Sequence, residues 1–287
     1  MNLRRLSASQ ITNADNCRRL HWYRSILKVT TTTTAANLEF GKAIDVSVRD
    51  YLMALSLGKS LPDPVDSFEK LWKKARDENE LSYSSTQTPA IFTKMGKDLM
   101  SQFPGAWEKT GYQVVIDING KPLLDLKLRC TFGTRVLLDG VIDVVVYTPE
   151  GILSVVDIKT AATSHSDTYT VLSDQLTVYQ LLIAAHAKRL GIPKAEQLGF
   201  FDFLKRKASS RIDPPIVSRI RTHEEIVEFR QKCEWLAEDI HRGRFPKSPR
   251  VAFNTPCDMC DFSGLCAHGD TEGLIIPDQH VQLLKIA

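Results

Sequence analysis

Two carboxylates and a lysine carry the strongest chemical signal in this chain. In "LLDGVIDVVVY", Asp143 interrupts a run of Val, Ile and Leu, and in "SVVDIKTA" Asp157 and Lys159 stand two residues apart. A period of two along a strand puts Asp157 and Lys159 on one face. Charged groups among apolar neighbours are costly unless they are paired or bind a metal. A buried Asp–Lys ion pair at a strand end meets that requirement, and so does a divalent-ion site, since Mg²⁺ and Mn²⁺ favour hard oxygen ligands. Gln175 and Tyr179 follow, four residues apart on a helical stretch and therefore on one face. They are either a partly buried polar pair or members of the same site. A second constellation is sulfur: Cys257, Cys260 and Cys266 in "NTPCDMCDFSGLCAH", spaced C-x2-C-x5-C. Three thiolates fall one short of the four that tetrahedral zinc or a cubane iron–sulfur cluster usually takes.

The elements that must position these groups follow from periodicity and turn signals. "YQVVIDI", "KPLLDLKLRCTF", "TRVLLDGVIDVVVY" and "GILSVVDIKTA" read as strands separated by Gly, Pro or Asn turns, and "LGFFDFLK" and "PPIVSRIR" as two more. Helices are expected over 7–28, 38–57, 66–79, 88–110 and about 171–190, the last closed by Gly191 and Pro193. "VTTTTTAAN" reads as a connection poor in helix propensity. "THEEIVEFRQKCEWLAEDIHRG" is an amphipathic helix, opened by Thr222 with Glu225 three residues later and closed by Gly243. This is an α/β pattern with a helical N-terminal part. We read residues 1–287 as one domain: 1–111 mostly helical, 112–221 the core, and 222–287 the C-terminal helix and cysteines.

The 287 residues are 43% hydrophobic and 25% charged, an ordinary globular composition. No apolar run is long enough to span a membrane. "MNLRRLSASQ" lacks the apolar stretch of a secretory signal, so a cytoplasmic location is expected by default. In that compartment the six cysteines read as metal ligands or buried thiols rather than disulfides; Cys130, in a strand, and Cys233, in a helix, fit the buried role. A net charge of +3 permits nucleic-acid binding without arguing for it. The basic character is local. Arg242, Arg244, Lys247 and Arg250 lie in "HRGRFPKSPR", and Lys205, Arg206, Lys207 and Arg211 in "LKRKASSR". The plain reading of each is a solvated loop.

Taken in order, the motifs resemble those of the RecB-like branch of the PD-(D/E)xK nucleases: G-x-x-D at Gly140–Asp143, D-x-K at Asp157–Lys159, and Q-x-x-x-Y at Gln175–Tyr179. The resemblance implies a restriction-endonuclease-like core, a mixed central sheet flanked by helices. It implies hydrolysis of DNA with Mg²⁺ or Mn²⁺ held by Asp143, Asp157 and the backbone carbonyl of Ile158, Lys159 acting on water or phosphate, and Gln175 and Tyr179 positioning the site. Many relatives carry G-x-x-x-H on an early helix; here "FGKAIDVSV" has Gly41 and then Asp45 in the His position. Asp45 is either an oxygen ligand in its place or an ordinary helix-surface acid.

The chain also resembles the iron–sulfur members, which include the AddB nuclease domain and CRISPR-associated exonucleases. There, one early cysteine joins the C-x2-C-x5-C set. That implies Cys17 with Cys257, Cys260 and Cys266 as ligands of a [4Fe–4S] cluster, with zinc as the less favoured occupant. In this reading the cluster is a C-terminal clasp, with Arg242, Arg244, Lys247 and Arg250 beside it as DNA contacts. "LKRKASSR" stays open between hairpin loop and DNA contact. No G-x-x-x-x-G-K-[ST] phosphate loop is present. A nuclease of this kind would act alone or beside a separate helicase, recombinase or CRISPR adaptation protein. The expected function is a metal-dependent exonuclease on single-stranded DNA or duplex ends, with the helices between 60 and 110 roofing the cleft. The alternative is a DNA-end-binding adaptor with weak or no cutting.

Overall fold

Apolar runs broken by Gly and Pro turns build the sheet, and amphipathic stretches build the layers on its faces. The computed structural model describes residues 3–206, 208–248 and 257–284. The chain divides into two units: residues 34–130 with 139–226, and residues 1–33 with 131–138 and 227–287.

The larger unit contains helices α1 (Ala36–Ser56), α2 (Pro64–Glu78) and α3 (Pro89–Thr110), strands β1 (Leu124–Phe132), β2 (Val136–Tyr147) and β3 (Leu153–Ala161), helices α4 (Asp167–Leu172) and α5 (Asp174–Leu190), and strands β4 (Gln197–Leu204) and β5 (Ile216–Arg219). β1 and β2 belong to it up to Cys130 and from Asp139. Helix α6 (His223–His241) begins in this unit and ends in the other. The sheet runs β1–β2–β3–β4–β5. β2 pairs antiparallel with β3, and β5 with β4, whereas β3 and β4 are parallel. A parallel step needs a crossover, and α4 and α5 supply it. One sheet face, with Val144, Val146, Val156, Phe201 and Phe203, is buried under Phe40, Phe68, Trp72, Phe92 and Phe103 of α1–α3. The other face receives α5.

The expected helix over 171–190 is two helices, because the Ser173 hydroxyl accepts from Leu176 N–H and starts a new one. The threonine connection contains two two-residue strands, Thr30–Thr31 and Thr34–Ala35. The helices between 60 and 110 direct their aromatic side chains into the core.

In the smaller unit the expected helix over 7–28 is broken. A capping box at Ser7 and Gln10 opens Ala8–Asn16. Cys17 is extended, and the chain resumes as Arg18–His21 and then a π-turn segment, Trp22–Ile26. The strand Arg4–Ser7 reaches Arg135 through Arg4 N–H to the Arg135 carbonyl, 2.7 Å. No helix among the described residues is long and apolar enough to cross a membrane.

Candidate active site

The pairing of β2 with β3 ends at Val144 opposite Val156. Asp143 and Asp157 are the next residues on the two strands. In place of a ladder bond, Ile158 N–H donates to Asp143 Oδ2 at 2.8 Å. Asp157 is fully buried. Its Oδ1 accepts from Gln175 Nε2 at 2.7 Å and from the Tyr179 hydroxyl at 2.9 Å, and Gln175 Nε2 also lies 2.8 Å from the Tyr179 oxygen. Its Oδ2 is 2.7 Å from Lys159 Nζ but has no partner in hydrogen-bond geometry. The structure therefore brings together four of the expected residues and bonds Asp143 to them through Ile158.

The electrostatics show strain of a useful kind. Burial, and then the charge of Asp157, push Asp143 well above the ordinary carboxylate range; Lys159 and the Ile158 N–H offset only part of this. Asp45, on α1, is raised first by burial and then by Asp125, and it also feels Asp157 and Lys159. Burial alone would lower Lys159, but Asp157 and Asp143 outweigh it and hold the ammonium above its usual value. Tyr179 is raised well above its normal range by burial and by Asp157, so it stays a protonated donor.

These carboxylates share one lysine. Two adjacent buried carboxylates, one with an oxygen met only by Lys159 and the other raised, are a setting that a cation would stabilise. The donor set is hard oxygen, which fits Mg²⁺ or Mn²⁺. Among the described residues, no three His, Cys, Asp or Glu side chains already form a group that would hold a metal ion as they stand.

Local sequence explains the placement. A Cβ at Gly41 would come within 3.2 Å of Thr160 Oγ1, and one at Gly140 within 2.9 Å of Leu182 Cδ1. The glycines that open G-x-x-x-D and G-x-x-D thus let α1 approach β3, and α5 approach β2. Arg221, which the sequence reading did not single out, fixes α5. Its buried guanidinium donates to the Thr170 carbonyl at 2.7 Å and to Thr177 Oγ1 at 3.1 Å, and its N–H donates to Gln180 Oε1 at 2.7 Å. Two acids were also missed. Asp125, with φ +51°, is ion-paired to Arg49 at 3.1 Å. Asp202 is buried against His165. Each sits in an apolar run, "LLDLK" or "FFDFL", so the rule that flagged Asp143 could have found them.

In the smaller unit, Cys17 stands at the helix break. Burial would raise its thiol, but N–H donors at Leu20, Ser248 and Arg19 hold it below the ordinary value, a setting that favours thiolate. Cys260 is raised, by burial first, and lies within electrostatic reach of Cys17. Cys260 N–H bonds the Cys257 carbonyl at 3.2 Å, and Cys266 bonds Tyr23. Cys260 and Cys266 pack on Tyr23, Leu27, Val29, Phe262 and Leu265. Arg242 pairs with Glu238, Arg244 with Asp239 at 2.8 Å, and Lys247 donates to the Cys266 carbonyl at 2.6 Å. All three are exposed; Arg250 lies outside the described residues. "LKRKASSR" joins β4 to the antiparallel pair Arg211–Ile212 and is a hairpin loop, with Lys207 outside the described residues.

The family model of the PD-(D/E)XK nuclease superfamily matches residues 5–267. The chain belongs to this superfamily. A candidate exonuclease from Eubacterium rectale shares the nuclease's fold, with a TM-score of 0.51 over 90% of this chain and 86% of that one, at 13% identity. The structure of SSO0001 aligns with a TM-score of 0.35 and 15% identity over 82% of this chain and 86% of its own. No curated protein matches the nuclease chain. The superfamily acts on DNA and typically uses Mg²⁺ or Mn²⁺.

Proposed function

We propose that this chain is a metal-dependent DNA exonuclease acting on single strands or duplex ends. The observation that carries the reading is the buried Asp157 carboxylate: one oxygen is fixed by Gln175 and Tyr179, and the other is left without a hydrogen bond beside Lys159, Asp143 and Asp45. Asp45, Asp143, Asp157 and the Ile158 carbonyl would hold Mg²⁺ or Mn²⁺. Such an ion, when bound, neutralises the scissile phosphate and activates water. Gln175 and Tyr179 keep Asp157 aimed by bonding the same oxygen. Lys159, cationic and about a third exposed, orients the attacking water or stabilises charge on the phosphate.

Cys17, Cys257, Cys260 and Cys266 would hold a [4Fe–4S] cluster, with zinc the other occupant. Its role is structural, closing a loop between residues 17 and 257 whose entropy metal binding offsets. The exposed Arg242, Arg244 and Lys247, with Arg250, contact DNA phosphates by exchanging their present partners for the backbone. A separate helicase, recombinase or CRISPR adaptation protein is the fitting partner class.

The test incubates labelled linear and circular single-stranded DNA with Mg²⁺ or Mn²⁺, with and without chelator, beside Asp157→Ala, Lys159→Ala and Asp45→Ala. We expect metal-dependent shortening of linear DNA, lost in the first two variants and weakened in the third. Unchanged metal dependence in Asp45→Ala would remove Asp45 from the ligand set. Efficient cutting of circles would overturn the exonuclease assignment. DNA binding without cutting would favour the end-binding adaptor. An anaerobic absorption spectrum with metal analysis decides between cluster and zinc.

A further inference from the structure

A cluster of three aromatic rings stands next to the lysine of the carboxylate site. Across the parallel step, Asp157 aligns with Phe200 and Lys159 with Asp202. All four side chains therefore project from one sheet face. Phe200 is buried, and His165 stacks on it with 4.3 Å between centroids and 18° between planes. Tyr169, on α4, covers His165 at 4.8 Å, yet it is 54% exposed. It is close enough to Lys159 to act on the lysine's charge.

The cluster is anchored at His165. His165 N–H donates to Asp202 Oδ2 at 2.7 Å, and the ring Nδ1 lies 2.6 Å from Asp202 Oδ1. A carboxylate acceptor makes Nδ1 the protonated nitrogen, so the imidazole cannot turn without breaking the Nδ1 contact, while the backbone N–H contact holds the residue in place. Asp202 is itself buried in β4. Phe200 is buried, whereas Tyr169, tilted 41° from His165 and with its centroid 5.8 Å from that of Phe200, ends in solvent beside the group expected to face the phosphate. It packs on an anchored histidine and keeps an open face.

We propose that Phe200, His165 and Tyr169 form a stacking platform for a nucleobase of the substrate, next to the scissile phosphate on the Lys159 side. The substrate class rests on the nuclease reading above. Every base has a π-face, so a platform of this kind grips single-stranded DNA without reading its sequence. Its rigidity removes part of the ordering cost of binding. The ring face does the work, and the hydroxyl is dispensable.

The experiment uses the full chain as purified, before any divalent ion is added, and a labelled single-stranded oligonucleotide. Affinity is read by fluorescence anisotropy without divalent ion, so that no probe is consumed. Tyr169→Ala should weaken binding by roughly ten- to a hundredfold, the range of one lost base stack, and Tyr169→Phe should bind within twofold of the parent. A single abasic nucleotide walked along the probe should weaken the parent strongly at one position and cost Tyr169→Ala nothing further there. This scan on the parent does not depend on how any variant folds. Full affinity in Tyr169→Ala, an abasic penalty that the variant still shows in full at every position, or no DNA binding by the parent would overturn the platform. Metal-dependent cutting with a KM indifferent to Tyr169 would leave the nuclease reading standing and remove only the platform. Base-dependent binding without cutting would do the reverse.

Discussion

The carboxylate site and the cysteine stretch are both clusters of metal-ligating residue types, but the protein treats them differently. Asp157 is fixed before any ligand arrives, with Gln175 and Tyr179 on one oxygen and Ile158 N–H tying Asp143 alongside. These groups sit on a sheet backed by an extended aromatic core. The cysteines instead lie at a helix break, in a tight turn and on a short helix, against a small apolar cluster. The first site is held together by the fold and stores repulsion. The second rests on that cluster and on a few surface contacts. Metal removal should therefore leave the carboxylate geometry in place, whereas on the proposed cluster reading the cysteines lose theirs.

The largest effect expected from this contrast is on catalysis. Asp157→Asn keeps an acceptor for Gln175 and Tyr179 but removes the charge. Cutting should fall by roughly 10³-fold or more, while the metal-free melting temperature should change by only a few degrees, because relief from repulsion with Asp143 offsets the lost ion pair with Lys159. Activity and calorimetry on the same preparation check both halves. A much lower melting temperature would mean that the carboxylate is structural. Cys260→Ser and Cys266→Ser should do the opposite in kind. Each should abolish any visible cluster absorption and lower the melting temperature by roughly 5–15 °C, whereas Asp157→Asn leaves the spectrum unchanged. A cysteine variant that melts like the parent would dissolve the contrast.

The same contrast governs what could be read from sequence. Asp143, Asp157 and Lys159 are conspicuous because charge in a β-branched apolar run is costly, and their spacing alone puts Asp157 and Lys159 on one face. The strands were legible as short apolar runs between turn signals, and α1, α2, α3 and α6 because one face of each is apolar. What was not legible depends on contacts between distant residues. Ser173 splits a helix because its hydroxyl caps Leu176. Arg221 holds α5 from 41 residues away through Gln180. The break at Cys17 has no signal in its neighbours, which are compatible with helix. Gly41 and Gly140 were visible as motif letters, but only the packing shows how tightly a Cβ there would meet Thr160 and Leu182.

Smaller effects should come from the residues around Asp157. Tyr179→Phe removes one of the two donors to Asp157 Oδ1 and keeps the ring. Gln175→Ala removes the other donor and its bond to Tyr179. Such supporting partners typically change metal affinity or activity by about 10–100-fold. We expect Gln175→Ala to be the more damaging, with a larger rise in the Mg²⁺ concentration needed for half-maximal rate. Equal rates at saturating and limiting Mg²⁺ would show that neither group tunes the metal site.

The smallest effect is on stability, and it has opposite signs in the two units. Asp143 titrates above its ordinary value when folded, because burial and Asp157 disfavour its charge. The folded state then holds its proton more tightly than the unfolded state. The associated stability is full below the unfolded carboxylate pKa and is lost as pH rises through the folded one. A divalent ion should flatten that loss. His21 behaves oppositely. It is buried, its Nδ1 is 3.1 Å from the Gln10 carbonyl, and Nε2 has no partner. Burial pushes it down from 6.5 to about 4. Its contribution is present above pH 6.5 and lost as pH falls toward 4, by at most about 3 kcal/mol. Chemical unfolding between pH 4 and 8 in chelator should show both slopes. Adding Mg²⁺ should remove only the alkaline-side loss, and His21→Gln only the acid-side one. If Mg²⁺ changed the acid-side slope instead, the assignment of the two titrations to different sites would be wrong.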